Sequence, residues 1–278
     1  MQSRPHYYCL LALAMLLVFS MTTIYAQVDT VKGGVVTQKD FSTKYALVSS
    51  RTDNLQWVKD PAGSTRDILE IRTRTTDGKI WGAIRTEIAL NRDYIRKGVR
   101  WYAMSMYFPN DWQIHKYPVV VGQLHTSQKS TILSPPVSFV VSDAFINLEL
   151  YSNHRSIDSL DIPTRANSAH QFIRLDRMKP AQWYCFVVRA DWSARLDQGA
   201  LKVWMNGEKV YEANNHYNSY ETWLGNYPRV GLYMPGMTSI SDRLLYVDFI
   251  HVGGARTSYQ EMADKTPCPQ SKASEVKP

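Results

Sequence analysis

Short runs rich in Val, Ile, Tyr, Trp and Phe recur along this chain between turn-forming residues, and an apolar period of 3.6 is hard to find anywhere in it. Strands are predicted over 67–74, 83–90, 100–108, 119–125, 137–141, 145–151, 172–175, 183–192, 201–204, 209–212, 227–233 and 244–252. So many strands with no helix between them call for an all-β fold of two antiparallel sheets packed face to face, a sandwich or jelly roll with one concave face. The clearest local signal is Val203-Trp204-Met205-Asn206-Gly207-Glu208-Lys209-Val210, where Asn206-Gly207 supplies the positive φ angles of a tight hairpin. Helical turns are expected only near 91–97 and 217–224.

Nothing between Val35 and Val252 has the composition of a linker, so residues 27–256 are read as one domain. The first 26 residues read as a signal peptide: Arg4, an apolar run from Tyr7 to Phe19, then small and polar residues up to Ala26. Ser20, Thr22 and Thr23 cut the run short of a comfortable membrane span. A secreted or periplasmic protein with no stable membrane association after cleavage is expected, and a monomer. Residues 257–278 are expected to form a flexible tail, with Pro267, Pro269 and Pro278 among charges and small residues.

Removing Arg4 with the leader leaves 31 of the 32 basic residues against 25 acidic ones, a surplus of +6. That sign in an exported protein suits an acidic ligand, although solubility alone also accounts for it. No basic helix or RNA-binding strand motif is present, so nucleic acid is not expected. The 8 Trp and 17 Tyr either fill a β core or line a surface that stacks on sugars. Beyond the leader only Cys185 and Cys268 remain, either bridged or with Cys185 as a buried thiol.

Three strands carry candidate chemistry. In Arg85-Thr86-Glu87 the two charges share a face, as a surface ion pair or as an arginine held by its glutamate for a substrate carboxylate. In Gly122-Gln123-Leu124-His125 an amide and an imidazole share a face, as a satisfied polar pair or as an anion donor beside a general base. In Tyr227-Pro228-Arg229-Val230-Gly231-Leu232-Tyr233 the glycine opens a gap between long side chains, either in a strand whose aromatics pack the core or in one that lets a chain ligand approach the backbone.

In this order the three strands resemble the R-[ST]-E, Q-x-H and Y-x-K-x-G-x-Y strands of the polysaccharide lyases in the alginate lyase, glucuronan lyase and heparin lyase I-like jelly-roll group. Arg229 stands where a lysine is usual, and Pro228 where an aromatic is usual. The stretches 101–109, 183–192, 203–207 and 246–248 add to the likeness. The resemblance implies a concanavalin A-like β-jelly roll that cleaves a 4-linked, uronic-acid-containing polysaccharide by β-elimination. Matched position by position, Arg85 and Gln123 hold and neutralise the C5 carboxylate, His125 shares that task or acts as base, and Tyr233 protonates the leaving oxygen and can also be the base. Glu87, Tyr227 and Arg229 are expected to bind substrate. The group often adds an asparagine, for which Asn147, Asn153 and Asn218 are candidates. Arg155, Arg165, Arg174 and Arg189 are candidates for choosing the polymer. Calcium is compatible with the superfamily, but no D-x-[DN]-x-[DN] run is present, and no metal or cofactor is expected.

Two rival functions lead elsewhere. A glycoside hydrolase on this fold would want two close carboxylates, and no E-x-D-x-x-E pattern occurs. A non-catalytic glycan-binding module would use the same aromatic surface but has no need of a phenol and an imidazole converging on one site.

Overall fold

The computed structural model describes residues 29–30, 45–90, 94–126, 133–156, 161–235 and 242–264. The expected leader, residues 1–26, and Cys268 lie outside them. The strands are β1 (Asp29–Thr30), β2 (Tyr45–Ser49), β3 (Leu55–Lys59), β4 (Asp67–Thr73), β5 (Ile84–Leu90), β6 (Gly98–Phe108), β7 (Val119–Thr126) and β8 (Val137–Ser142), followed by β9 (Phe145–Ser152), β10 (Ala169–Arg177), β11 (Gln182–Trp192), β12 (Ala200–Met205), β13 (Glu208–Asn214), β14 (Asn226–Met234) and β15 (Arg243–Gly253). Every predicted strand is present, and β1, β2 and β3 are additional.

The strands form two antiparallel sheets. One runs β13-β12-β11-β6-β15-β4-β3, with β1 on β15; the other runs β10-β9-β8-β7-β14-β5-β2. Alternation explains the sandwich. Val230, Leu232 and Met234 of β14 and Ile84, Ile88 and Leu90 of β5 turn inward to meet Tyr102, Met104 and Met106 of β6 and Phe186 and Val188 of β11. Phe139 stacks on Phe186 across the sheets at 4.0 Å between ring centroids. The Asn206-Gly207 hairpin joins β12 to β13 with φ angles of 51° and 90°.

Thr86, between the two charged residues of β5, turns inward to Ser49 Oγ at 3.0 Å and accepts from Asn54 Nδ2 at 3.2 Å. This polar plug fixes the register that sends Arg85 and Glu87 to the outer face.

Two expectations need correction. The free tail does not begin at 257: helix α1 (Tyr259–Ala263) starts at a capping box on Ser258 and buries Met262 against Trp101, Ala103, Cys185 and Val187 on the outer face of the larger sheet. The apolar Tyr259 and Met262 at i and i+3 give this short helix a face to bury, which outweighs the polar composition around it. Residues 217–224 form no helix, because Asn218 and Ser219 are tied to backbone of neighbouring strands and loops. Residues 94–97 are likewise irregular, and 91–93 lie outside the described residues. Cys185 is disulfide-bonded, with its partner outside the described residues.

Candidate active site

The smaller sheet carries all three motifs on adjacent strands, with β14 in the middle. Cα pairing sets Tyr233 beside Arg85, Gly231 beside Glu87, Arg229 beside Gln123 and Tyr227 beside His125. All seven predicted site residues therefore fall on one outer face, which the sequence spacing within each strand implies and the strand order completes.

Gly231 makes this closeness feasible. Its φ is 142°, and a Cβ there would lie 2.3 Å from the carbonyl oxygen of Thr86 and 2.8 Å from the Cα of Glu87. Any side chain would push β14 off β5.

Glu87 is the hub. Its carboxylate accepts from Arg85 Nη1 at 3.3 Å and from Gln123 Nε2, and Arg229 Nη1 lies 3.9 Å away. Arg85, Glu87, Gln123 and Arg229 are all buried, at 6, 2, 1 and 7% exposure. Yet Arg85 Nε, Gln123 Oε1 and both Nε and Nη1 of Arg229 have no hydrogen-bond partner. The three guanidinium nitrogens are donors that an anion can satisfy, whereas Gln123 Oε1 is an acceptor. The charge count agrees: two guanidiniums against one carboxylate leave +1.

His125 does not add to that charge. Burial first, then the guanidiniums of Arg229 and Arg85, push its pKa down to about 3, so the ring is neutral. Nδ1 lies 2.6 Å from the carbonyl oxygen of Thr126, which can only accept. The proton therefore sits on Nδ1, leaving Nε2 with a lone pair.

The two tyrosines differ. Tyr227 is buried, accepts a hydrogen bond from Arg229 Nη2, and has its pKa raised by burial against the opposing pull of Arg229. It stays a phenol and holds Arg229 in place. Tyr233 is partly exposed, with the Arg85 guanidinium 4.0 Å from its ring centroid.

The three candidate asparagines spend their amides elsewhere. Asn147 donates to Val140 and Phe145 carbonyls, Asn153 to that of Asn167, and Asn218 to those of Asp191 and Ala200. Of the four candidate arginines, Arg155 pairs with Asp161 and Arg189 lies on β11 of the other sheet. Arg165 binds the Tyr151 hydroxyl at 3.2 Å, and Arg174, on the edge strand β10, packs 4.0 Å over the Phe145 ring. Among the described residues no three or more His, Cys, Asp and Glu come together to hold a metal ion.

Trp81 escaped the sequence reading. It lies at the β4–β5 turn, 71% exposed, with its ring 5.3 Å from the Arg85 guanidinium and 5.7 Å from that of Arg229. Gly82 between two predicted strands was the available turn signal, and nothing in the sequence marked the side chain before it.

A model of polysaccharide lyases matches residues 26–251. No curated protein sequence matches the chain. Among solved structures, the fold is similar to that of an endo-β-1,4-glucuronan lyase from the fungus Trichoderma reesei, with 18% identity, a TM-score of 0.60, and 76% of this chain and 95% of that one covered. It is also similar to alginate lyase A1-II', a member of polysaccharide lyase family 7, with 14% identity, a TM-score of 0.52, and 76% and 96% covered. A GH131 β-glucanase catalytic domain from Podospora anserina shares it at 10% identity and a TM-score of 0.51, covering 80% and 90%. A scaffold shared with a glucanase does not choose the chemistry. The family match does, because it spans nearly the whole two-sheet domain: the chain belongs to the polysaccharide lyases, carbon–oxygen lyases acting on polysaccharides.

Proposed function

We propose that this protein cleaves a 4-linked, uronic-acid-containing polysaccharide by β-elimination on the outer face of the smaller sheet, leaving a C4=C5 unsaturated uronate. The observation that carries this reading is the buried Arg85–Glu87–Gln123–Arg229 cluster, which has one positive charge in excess and unpartnered donors. A substrate carboxylate supplies both what the charge and what the donors lack.

The chemistry then follows from the residues around the cluster. Arg85, Arg229 and the second N–H of Gln123 Nε2 bind the C5 carboxylate and stabilise the negative charge that develops there as the C5 proton leaves. His125 takes that proton on Nε2, its other nitrogen being engaged; its pKa of about 3 makes it a weak base in the free protein, and a bound carboxylate that offsets Arg229 and Arg85 raises it toward the useful range. The C5–H electron pair forms the C4=C5 bond, the C4–O bond breaks, and Tyr233 protonates the departing oxygen. His125 pairs with position 227 of β14 and Tyr233 lies six residues further along the same outer face. Glu87 does not touch substrate in this scheme: it orients the two guanidiniums and the amide. Tyr227 acts in the same way, through Arg229.

Export fits the account, since a polymer must be met outside the cell. The protein acts as a monomer, with no membrane anchorage once the leader is removed.

Tyr233→Phe and Arg85→Ala separate the roles. The phenol variant should bind polyuronate as the parent does and turn over about 10²–10⁴-fold more slowly. The arginine variant should lose binding and turnover together. Full activity in Tyr233→Phe would remove the acid from the mechanism.

A further inference from the structure

Trp81 combines three features that conflict unless something sits on it. The first is backbone. Trp81 and Gly82 are the two central residues of a hairpin closed by Ile80 N to Ala83 O at 2.8 Å and Ala83 N to Ile80 O at 3.2 Å, with φ angles of 49° and 78°. Such a turn favours Asn, Asp or Gly at its first position, because a Cβ in the left-handed region is strained. Among the described residues the other non-glycine positive-φ positions are Asp, Asn or Ala, so Trp81 is the one bulky residue held there.

The second feature is exposure: 71% of an indole stands in solvent, where it gains little from burial. The third is position. The ring lies within 5.7 Å of both Arg229 and Arg85, the two cations that line the carboxylate site. Strain kept at an exposed aromatic beside a binding centre points to a ligand contact rather than to packing.

We propose that Trp81 is a stacking platform for a pyranose ring of the acidic polymer, holding a sugar against the indole while Arg85 and Arg229 engage the carboxylate. An indole face matches the apolar C–H face of a sugar, and the ring can stack on any uronate, so the platform contributes affinity and placement and does not choose the polymer. This inference rests on the uronate reading of the site.

The test uses the full chain without its leader, with polyglucuronate and alginate as probes and an uncharged β-glucan as control. Three proteins are compared: parent, Trp81→Asn and Trp81→Phe. Asn suits the turn and removes the platform, so its melting temperature should hold or rise by about 2 °C, while affinity for the polyuronate falls about tenfold. Trp81→Phe should recover part of the affinity. Polymer should also quench parent tryptophan fluorescence more than that of Trp81→Asn. Unchanged affinity in Trp81→Asn, or a fall in melting temperature that Phe restores, would overturn the platform and make Trp81 a structural cover for the arginines. A parent that binds polyuronate without cleaving it would sink the elimination reading and leave the platform to be judged by the affinities. A parent that binds none of the probes would sink both.

Discussion

On the outer face of the larger sheet, Trp101 stacks on Trp204 at 5.8 Å, Trp204 meets Tyr259 of α1 at 5.0 Å, and Met262 closes over Cys185 and Val187. Beside them Arg66 is clasped between Asp60 and Asp248, and Trp183 Nε1 donates to Asp60 at 3.2 Å. On the outer face of the smaller sheet, two buried arginines share Glu87 and keep unpartnered nitrogens. Both clusters carry three charges that do not sum to zero. They differ in how the residue can be cancelled. Burial pushes the Asp248 pKa up to about 6, so below that pH the acidic cluster takes up a proton and becomes neutral. Guanidiniums cannot shed a proton at any ordinary pH, so the basic cluster can be neutralised only by an anion from outside.

The largest effect should come from Gly231→Ala. A Cβ at 2.3 Å from the Thr86 carbonyl breaks the β14–β5 pairing that joins two of the three motifs. We expect more than about 4 kcal/mol of lost stability, read by chemical denaturation, and no turnover from whatever folds.

Glu87→Gln comes next and sharpens the charge argument. It leaves two buried guanidiniums without their anion, at a cost of about 3 kcal/mol. Added oligoglucuronate should raise the variant's melting temperature more than the parent's. An equal rise in both would contradict the claim that the cluster lacks a negative charge.

On the other face, Met262→Ala should cost about 3 kcal/mol through the cavity left under α1. Its kcat/KM should match that of the parent, because nothing on this face reaches the site. A selective loss of kcat/KM would break the division of labour.

pH distinguishes the faces more gently. The folded pKa of His125 is about 3, below that of the unfolded imidazole, about 6.5. As pH falls from the upper value to the lower, the unfolded chain takes up a proton that the native state refuses, so this stabilisation is lost across that window. His125→Asn should flatten this part of a melting-temperature profile. In the free enzyme kcat/KM should show no acid limb in the ordinary histidine range, and a limb there that His125→Asn abolishes would be inconsistent with a ring already neutral.

The smallest effect is expected at Asp248. Its folded pKa of about 6 exceeds the unfolded value of about 3.9, so its contribution is full below the lower value and falls as pH rises through the upper one. Asp248→Asn should remove that slope, on the order of 1 kcal/mol, in the direction opposite to His125→Asn.

Period-two alternation made the strands and their faces legible, because Arg85 with Glu87, Gln123 with His125, and Tyr227 with Tyr233 each had to point the same way. It could not order the strands, so the contacts of Glu87 with Gln123 and Arg229 emerged only when β14 was seen between β5 and β7. β2 and β3 were missed because Tyr45–Ser49 and Leu55–Lys59 are short, edge-positioned and only partly buried, with weak alternation. Tyr259–Ala263 was missed because a single helical turn takes its stability from the aromatic face it covers, not from its own composition. The three asparagines looked equally suited to the cluster until their amides were seen to be engaged with backbone, which is a tertiary fact.

The most direct test of the central claim is ultraviolet absorbance of the C4=C5 double bond as the leaderless protein acts on alginate, polyglucuronate, hyaluronan, chondroitin sulfate and heparin. The account predicts a rise with at least one of these polymers, lost in Tyr233→Phe. Depolymerisation of a uronate polymer to saturated ends, or binding without any rise across the panel, would contradict β-elimination at this site.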